Sequence, residues 1–242
     1  MNDVSIGQTG HDVTLSSALL LYTGPNGAHY ATAHPVAAEP KTGRPIIGAG
    51  RPLDRKALVV ALAQLDRNAA PKADFLPATV LGITSAAVTW WCPPALRRVF
   101  FKCEELGERS AVVPHPGLVF QASTNGFRVF SLKGDGRPEP STLLFEPPYF
   151  NTWDRGKICI GSANVPRRIE VSAIPGWEEA FFASAFTHPN HGGKRVEYKN
   201  GFYAFWKDML DGNFEAFPLD VLVPMKDATA GKLVAGEIGG QE

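Results

Sequence analysis

The sequence predicts an α+β fold, an antiparallel meander sheet with flanking helices, and two observations carry that prediction. Short strand-compatible runs follow one another from Thr79 to Phe145, and beyond the Cys159 segment the apolar residues recur at helical spacing instead. A third observation bounds the class. Hydrophobic residues make up 44% and charged residues 20% of 242 positions, which fits a globular chain and excludes a wholly disordered one or a scaffold held by disulfides alone.

Each element has its own local reason. Leu15 to Tyr22 and Ala28 to Val36 are strand-compatible and joined by Gly24-Pro25-Asn26-Gly27, whose Asn-Gly pair suits the positive φ angles of a tight hairpin. Pro and Gly punctuate Glu39 to Pro52 densely enough to forbid a regular element. Leu58, Leu62 and Leu65 then follow at helical spacing, with Asp54 as the N-cap. A second punctuated stretch, Ala69 to Pro77, separates this N-terminal α/β extension, residues 1–75, from a core domain over residues 76–226.

Strands are expected in the core at Val80 to Ile83, Ala87 to Trp91, Arg98 to Lys102, Leu118 to Ala122, Phe127 to Leu132 and Leu143 to Phe145. Ser123-Thr124-Asn125-Gly126 is the clearest turn, because its Asn-Gly pair sits between runs rich in Phe and Val. Glu146 to Pro166 has almost no periodicity, and an irregular segment of that length with aromatic and apolar content points to function rather than disorder. Trp177, Ala180, Phe181, Ser184 and Ala185 mark a helix near Trp177 to Phe186, and Phe202, Phe205, Trp206, Met209 and Leu210 mark another near Phe202 to Leu210. The aromatic stripe on the second reads as core. Residues 227–242 are Gly-rich, end polar and are expected to fray.

Charge and cysteine content exclude several classes. Lys+Arg 24 against Asp+Glu 24 leaves no bulk positive potential, so no direct nucleic-acid binding is expected. The longest apolar runs fall short of the roughly 18–20 residues that cross a bilayer, so no membrane partner is expected. The first Lys or Arg is Lys41, so the apolar N-terminal run lacks the positive flank of a secretory signal and a cytoplasmic location is expected. Cys92, Cys103 and Cys159 cannot all pair and show no Cys-x-x-Cys spacing, which points to free thiols.

Most short motifs fail on chemistry. Gly48-Ala49-Gly50 opens like a dinucleotide loop, but Leu53 holds the sixth position and Pro52 intervenes. Gly192-Gly193-Lys194 opens like a phosphate loop, but Arg195 stands where a hydroxyl should bind magnesium. His188-Pro189-Asn190-His191 offers two imidazoles, yet Pro189 breaks helical spacing and no Cys or carboxylate follows closely, so no metal is expected. Cys159, His188 and Asn190 have papain-like residue types at intervals far too short for that layout. Cys92 and Cys103 end strands and suit buried thiols. Cys159 instead lies in an irregular segment between Gly156 and Gly161, which let backbone approach closely, and it reads either as a nucleophile for a macromolecular reactant or as an ordinary loop thiol.

Asn151, Gly156, Ile158 and Cys159 fall on the spacing of the active-site stretch of ubiquitin-conjugating enzymes, which the segment resembles: His-Pro-Asn, a Gly three residues before the nucleophile, then Ile-Cys-Leu. Tyr149 and Phe150 replace the His and Pro, and Gly161 replaces the usual Asp. Val88-Thr89-Trp90-Trp91 with Pro93-Pro94, Pro116-Gly117-Leu118-Val119-Phe120, Pro148-Tyr149-Phe150-Asn151 and Gly156-Lys157-Ile158-Cys159-Ile160-Gly161 more narrowly resemble the PRTRC system protein B family, a prokaryotic ubiquitin-conjugating-like family.

The resemblance implies a ubiquitin-conjugating-enzyme-like core and a bacterial, plasmid-associated gene set with a ThiF-like activating enzyme, a ubiquitin-like protein and a JAB-type metallopeptidase. It implies thioester transfer, in which the Cys159 thiolate takes the acyl group of the ubiquitin-like protein and passes it to an amine; no cofactor is called for. Lys157 and Arg155 favour the anion where their side chains point to it. Asn151 orients the loop, donates to a developing oxyanion or is a plain turn residue. His188 and His191 accept the proton of the attacking amine or are ordinary loop residues, with Gly156, Lys157, Ile158, Gly161 and Asn190 as the supporting loop. The competing class is a conjugating-like binding or scaffold module that carries no covalent intermediate.

Overall fold

The computed structural model describes residues 15–25, 29–53, 75–190 and 192–238, together with Lys56 and Val59. The chain divides after Asp74 into two compact units. In the first, β1 (Ser17–Thr23) and β2 (His29–Ala38) pair antiparallel, from Ser17 opposite Pro35 to Thr23 opposite His29. β3 (Pro45–Ile47) and β4 (Arg51–Pro52) add to β2. These two strands correct the expectation that Pro and Gly keep residues 39–52 irregular. Pro45 opens its strand, a position where a missing N–H is tolerated, and Gly43 makes the preceding turn at φ +69. Asp54, Leu58, Leu62 and Leu65 of the expected helix lie outside the described residues.

The second unit contains β5 (Val80–Ile83), β6 (Ala87–Cys92), β7 (Ala95–Cys103), β8 (Gly107–His115), β9 (Gly117–Ser123), β10 (Gly126–Leu132) and β11 (Leu143–Phe145). Then come α1 (Ile174–Phe182), β12 (Ala185–Phe186), α2 (Gly201–Leu210), β13 (Pro224–Thr229) and α3 (Ala230–Ala235). Six strands form an antiparallel sheet in the order β13-β11-β10-β9-β6-β5. The fold is therefore α+β and mostly antiparallel. Alternation sorts its side chains into two cores. Leu118, Phe120, Phe127 and Val129 meet Trp177, Phe181 and Trp206 of α1 and α2, whereas Val119, Phe130 and Leu132 meet Leu233 of α3.

Four expectations need correction. The meander is not continuous: Pro93-Pro94 follow β6, and β7 leaves the sheet to pair with β8 and, in parallel, with β12. β8 was not expected, since Glu108, Arg109 and Pro114 break the apolar pattern. It is an edge strand, where outward charges and a proline are accommodated. The first helix ends at Phe182 rather than Phe186, because residues 185–186 become β12 against Phe100 and Phe101. Residues 227–238, assigned to a fraying tail, instead finish β13, form α3 and bury Leu233 and Ile238. The tail is fastened by Gln121, whose side-chain amide donates to the Leu233 carbonyl at 2.9 Å, and by Arg128, which donates to the Ile238 carbonyl. Among the described residues no helix is long and apolar enough to cross a membrane.

Candidate active site

The Cys159 segment hangs on the start of β10. The Ile158 amide donates to the Phe127 carbonyl at 2.8 Å and the Ile158 side chain is buried in the core, so alternation turns Cys159 out to solvent. On the other side the Cys159 amide donates to the Asn151 carbonyl at 2.7 Å, and the Trp153 amide donates to the Lys157 carbonyl at 2.7 Å. Between them, residues Asp154–Gly156 form a 3₁₀ turn with Arg155 at φ 53 and Gly156 at φ 70. Only glycine fits at 156, because a Cβ there would collide with the Val129 carbonyl oxygen and approach the Phe130 ring. Gly161, at φ 47, has open space around it.

Tyr149 and Phe150 form the buried stem of the Asn151 turn. Phe150 packs edge-on to Phe101 and against Phe202 and Tyr203, and Tyr149 packs against Phe181, Phe186 and Trp206. The Tyr149 hydroxyl finds a buried partner in His115 Nδ1 at 2.7 Å. Burial pushes the Tyr149 phenol well above its ordinary value, with Arg97 pulling the other way. Asn151 then takes φ 58, a left-handed conformation that Asn adopts more readily than most residues, and turns the chain back toward Cys159.

Asn151 is the hub. Its amide donates to the His188 carbonyl at 2.9 Å, so its backbone is bonded to both His188 and Cys159. Its side chain donates from Nδ2 to the Ala185 carbonyl at 2.8 Å, while Oδ1 accepts from the Thr187 amide at 3.1 Å and the Thr187 hydroxyl at 2.9 Å. These contacts tie the turn to residues 185–188. His188 is exposed, with Nδ1 2.9 Å from Thr187 Oγ1. Asn190 has both amide atoms enclosed without a hydrogen-bond partner among the described residues, and His191 lies outside them.

Two residues that the sequence did not single out for the site hold it together. Thr187 joins Asn151 to His188. Arg195, which the sequence offered only as a mismatch to a phosphate loop, is buried; it forms an ion pair with Glu146 and donates to the Thr152 carbonyl at 3.1 Å. Burial lowers its pKa, and Glu146 and Asp154 oppose that shift.

The other thiols differ from Cys159. Cys92 is buried and donates to Glu178 Oε1 at 3.0 Å, an oxygen that also accepts from Trp90 Nε1 at 3.0 Å. Burial pushes the Cys92 thiol far up, and the Glu178 carboxylate adds to the rise. Cys103, expected to be shielded, is half-buried. Lys157 lies with Cε near Gly126, and Arg155 lines a pocket with Lys194 and Lys232. Behind Cys159 a hollow is lined by Phe127, Ile158, Phe181 and Phe186. A groove between residues 163–167 and α1 shares Ala163, Val165, Ala180 and Ser184 with it.

The family model for prokaryotic E2 family D matches residues 54–225, a span that holds Cys159, the Asn151 turn and the Thr187 strand end. The chain belongs to prokaryotic E2 family D. No curated protein and no solved structure matches it. The family match begins at Asp54, inside the stretch read as an extension, and stops at Met225, within β13. Membership of an E2 family makes the chain ubiquitin-conjugating-like in general terms.

Proposed function

We propose that the chain accepts a ubiquitin-like protein as a thioester on Cys159 and passes it to an amine, within a PRTRC system that supplies a ThiF-like activating enzyme and is associated with a JAB-type metallopeptidase. One observation carries this reading: Cys159 is the exposed cysteine among the three, and its flanking amides are pinned to β10 and Asn151 while its side chain is presented to solvent. Accessibility is what thiol exchange requires first. In loading, the Cys159 thiolate attacks the thioester carbonyl carried by the activating enzyme, a new C–S bond forms and the enzyme's thiolate leaves. In discharge, an amine attacks the Cys159 thioester, a C–N bond forms, the C–S bond breaks and the Cys159 thiolate departs. The amine's surplus proton goes to His188 or His191. The groove beside α1 suits an extended acyl-bearing tail, since it adjoins the hollow behind Cys159. The setting is a ubiquitin-conjugating-like core in the cytoplasm.

The deciding experiment mixes the chain with activating enzyme, ATP and the cognate ubiquitin-like protein. A thiol-sensitive adduct is expected, lost in Cys159→Ala and converted to a thiol-resistant ester in Cys159→Ser. Binding of the ubiquitin-like protein without any adduct would replace this reading by the scaffold one, which the substitution of Tyr149, Phe150 and Gly161 for His, Pro and Asp favours.

A further inference from the structure

The hydrogen bonds around Thr187 determine which nitrogen of His188 carries the proton. Donor and acceptor types alone decide the direction of each bond. The Thr187 backbone amide can only donate and the Ala185 carbonyl can only accept, so the Asn151 amide has one possible orientation, with Oδ1 toward Thr187 and Nδ2 toward Ala185. Asn151 Oδ1, an acceptor, is 2.9 Å from Thr187 Oγ1, so the single hydroxyl proton of Thr187 points at Asn151. Toward His188 Nδ1, also 2.9 Å away, Thr187 Oγ1 can then only accept. The hydrogen of that bond must come from Nδ1.

We infer that Thr187 is a positioning residue that locks neutral His188 in its Nδ1–H form and leaves the Nε2 lone pair facing outward as the proton acceptor. The inference deepens the proposed transfer reaction and, for its catalytic consequence, rests on it. The chain of donors runs from His188 Nδ1–H to Thr187 Oγ1–H to Asn151 Oδ1, so the residue that turns the Cys159 loop also fixes the ring. The proximity is built into the backbone, since Asn151 bonds through its N–H to the His188 carbonyl and through its C=O to the Cys159 amide. His188 and Cys159 are thus each one backbone hydrogen bond away from the same residue. An attacking amine bound over the thioester enters the space between them. When its C–N bond forms and the C–S bond breaks, its surplus proton passes to Nε2, and Cys159 leaves as thiolate. A ring free to carry its proton on Nε2 cannot accept there.

Nitrogen-15 NMR of the His188 ring in the full chain, above the imidazole pKa, reads the tautomer directly and needs no partner protein. Wild type is expected to show a proton-bearing Nδ1 and an unprotonated Nε2. Thr187→Val, which keeps the side-chain shape and removes the hydroxyl, is expected to lose that bias, and Thr187→Ser to keep it. A wild-type ring protonated on Nε2, or an unchanged ring in Thr187→Val, overturns the inference whether or not Cys159 forms a thioester. Matched amounts of preloaded thioester then test the consequence. Discharge to free lysine should slow about tenfold in Thr187→Val and recover in Thr187→Ser, a share of the hundredfold or more that a placed base supplies. Unaltered discharge with a lost tautomer bias overturns the positioning role. Failure of Cys159 to load refutes the transfer reaction and leaves the ring assignment to stand or fall on the spectra.

Discussion

The Tyr149 hydroxyl and His115 Nδ1 lie 2.7 Å apart in a buried contact between the stem of the Asn151 turn and the end of β8. Their rings stack at 13° with centroids 5.6 Å apart. The turn's buried tyrosine thus meets an imidazole supplied by β8. The Asn151 turn is thereby tied to the β7–β8 hairpin that left the main sheet.

Burial of the His115 ring makes stability depend on pH. Burial, helped by Arg97, lowers the His115 pKa from 6.5 to about 3. Below pH 6.5 the unfolded chain takes up a proton that the folded chain refuses, so stability falls as pH falls from 6.5 toward 3. The loss from this group between about pH 6.5 and 5 is about 2 kcal/mol. Urea unfolding across that interval should show the slope, and His115→Gln, which keeps a hydrogen-bonding group and does not titrate, should flatten it. An equal slope in both proteins would refute the assignment to His115.

Gly156 and Gly161 share a left-handed backbone and differ in surroundings. Alanine at 161 meets nothing within 4 Å, so it bears only the backbone cost of about 1–2 kcal/mol. Alanine at 156 adds the collision with the Val129 carbonyl, for a total of about 2–5 kcal/mol. Denaturation midpoints of the two variants give the order, and equal losses would mean that the Cys159 segment is not seated on β10 as described.

Thiol reactivity should follow burial. Cys159 is expected to react first with a mild alkylating reagent, half-buried Cys103 second, and Cys92 only on unfolding, because its sulfur is enclosed and hydrogen-bonded to Glu178. Peptide mapping after short exposures gives the sequence of events. Modification of Cys92 or Cys103 ahead of Cys159 would remove the accessible nucleophile on which the proposed transfer depends.

Strands whose pattern is local were legible in the sequence. Phe127 to Leu132 alternates and is preceded by Asn125-Gly126, and it forms β10 with Phe127 opposite Ala122, as that turn requires. The glycine at 156 was legible as a point of close backbone approach, which the Val129 carbonyl makes there. What escaped acts across the fold. Thr187 lies 36 residues from Asn151, and Arg195 lies 49 from Glu146, and nothing local to either marks its partner. α3 escaped because six residues, AGKLVA, are too few for a period to show, and its Leu233 is placed by the sheet face rather than by its own neighbours.

Arg195 offers the last test, and it bears on how the Asn151 turn stays in place. Its side chain is buried, paired with Glu146 and bonded to the carbonyl of Thr152, the residue after Asn151, while Thr152 Oγ1 donates to the Tyr149 carbonyl at 2.7 Å. The guanidinium therefore grips the turn through Thr152, as Thr187 does through Asn151. Arg195→Met fills a similar volume without charge, but it strips the Thr152 carbonyl of a donor and Glu146 of one partner, and losing one member of such a pair costs about 3 kcal/mol. Adding Glu146→Gln to that variant should restore part of the loss, because the carboxylate that faced Arg195 is no longer charged. The local effect should exceed the global one. Amide exchange at Asn151 and Cys159, whose N–H groups bond to His188 and Asn151, is expected to accelerate more than exchange at Val129 in the centre of β10. Equal acceleration at all three amides would show that Arg195 stabilises the domain as a whole and does not hold the turn.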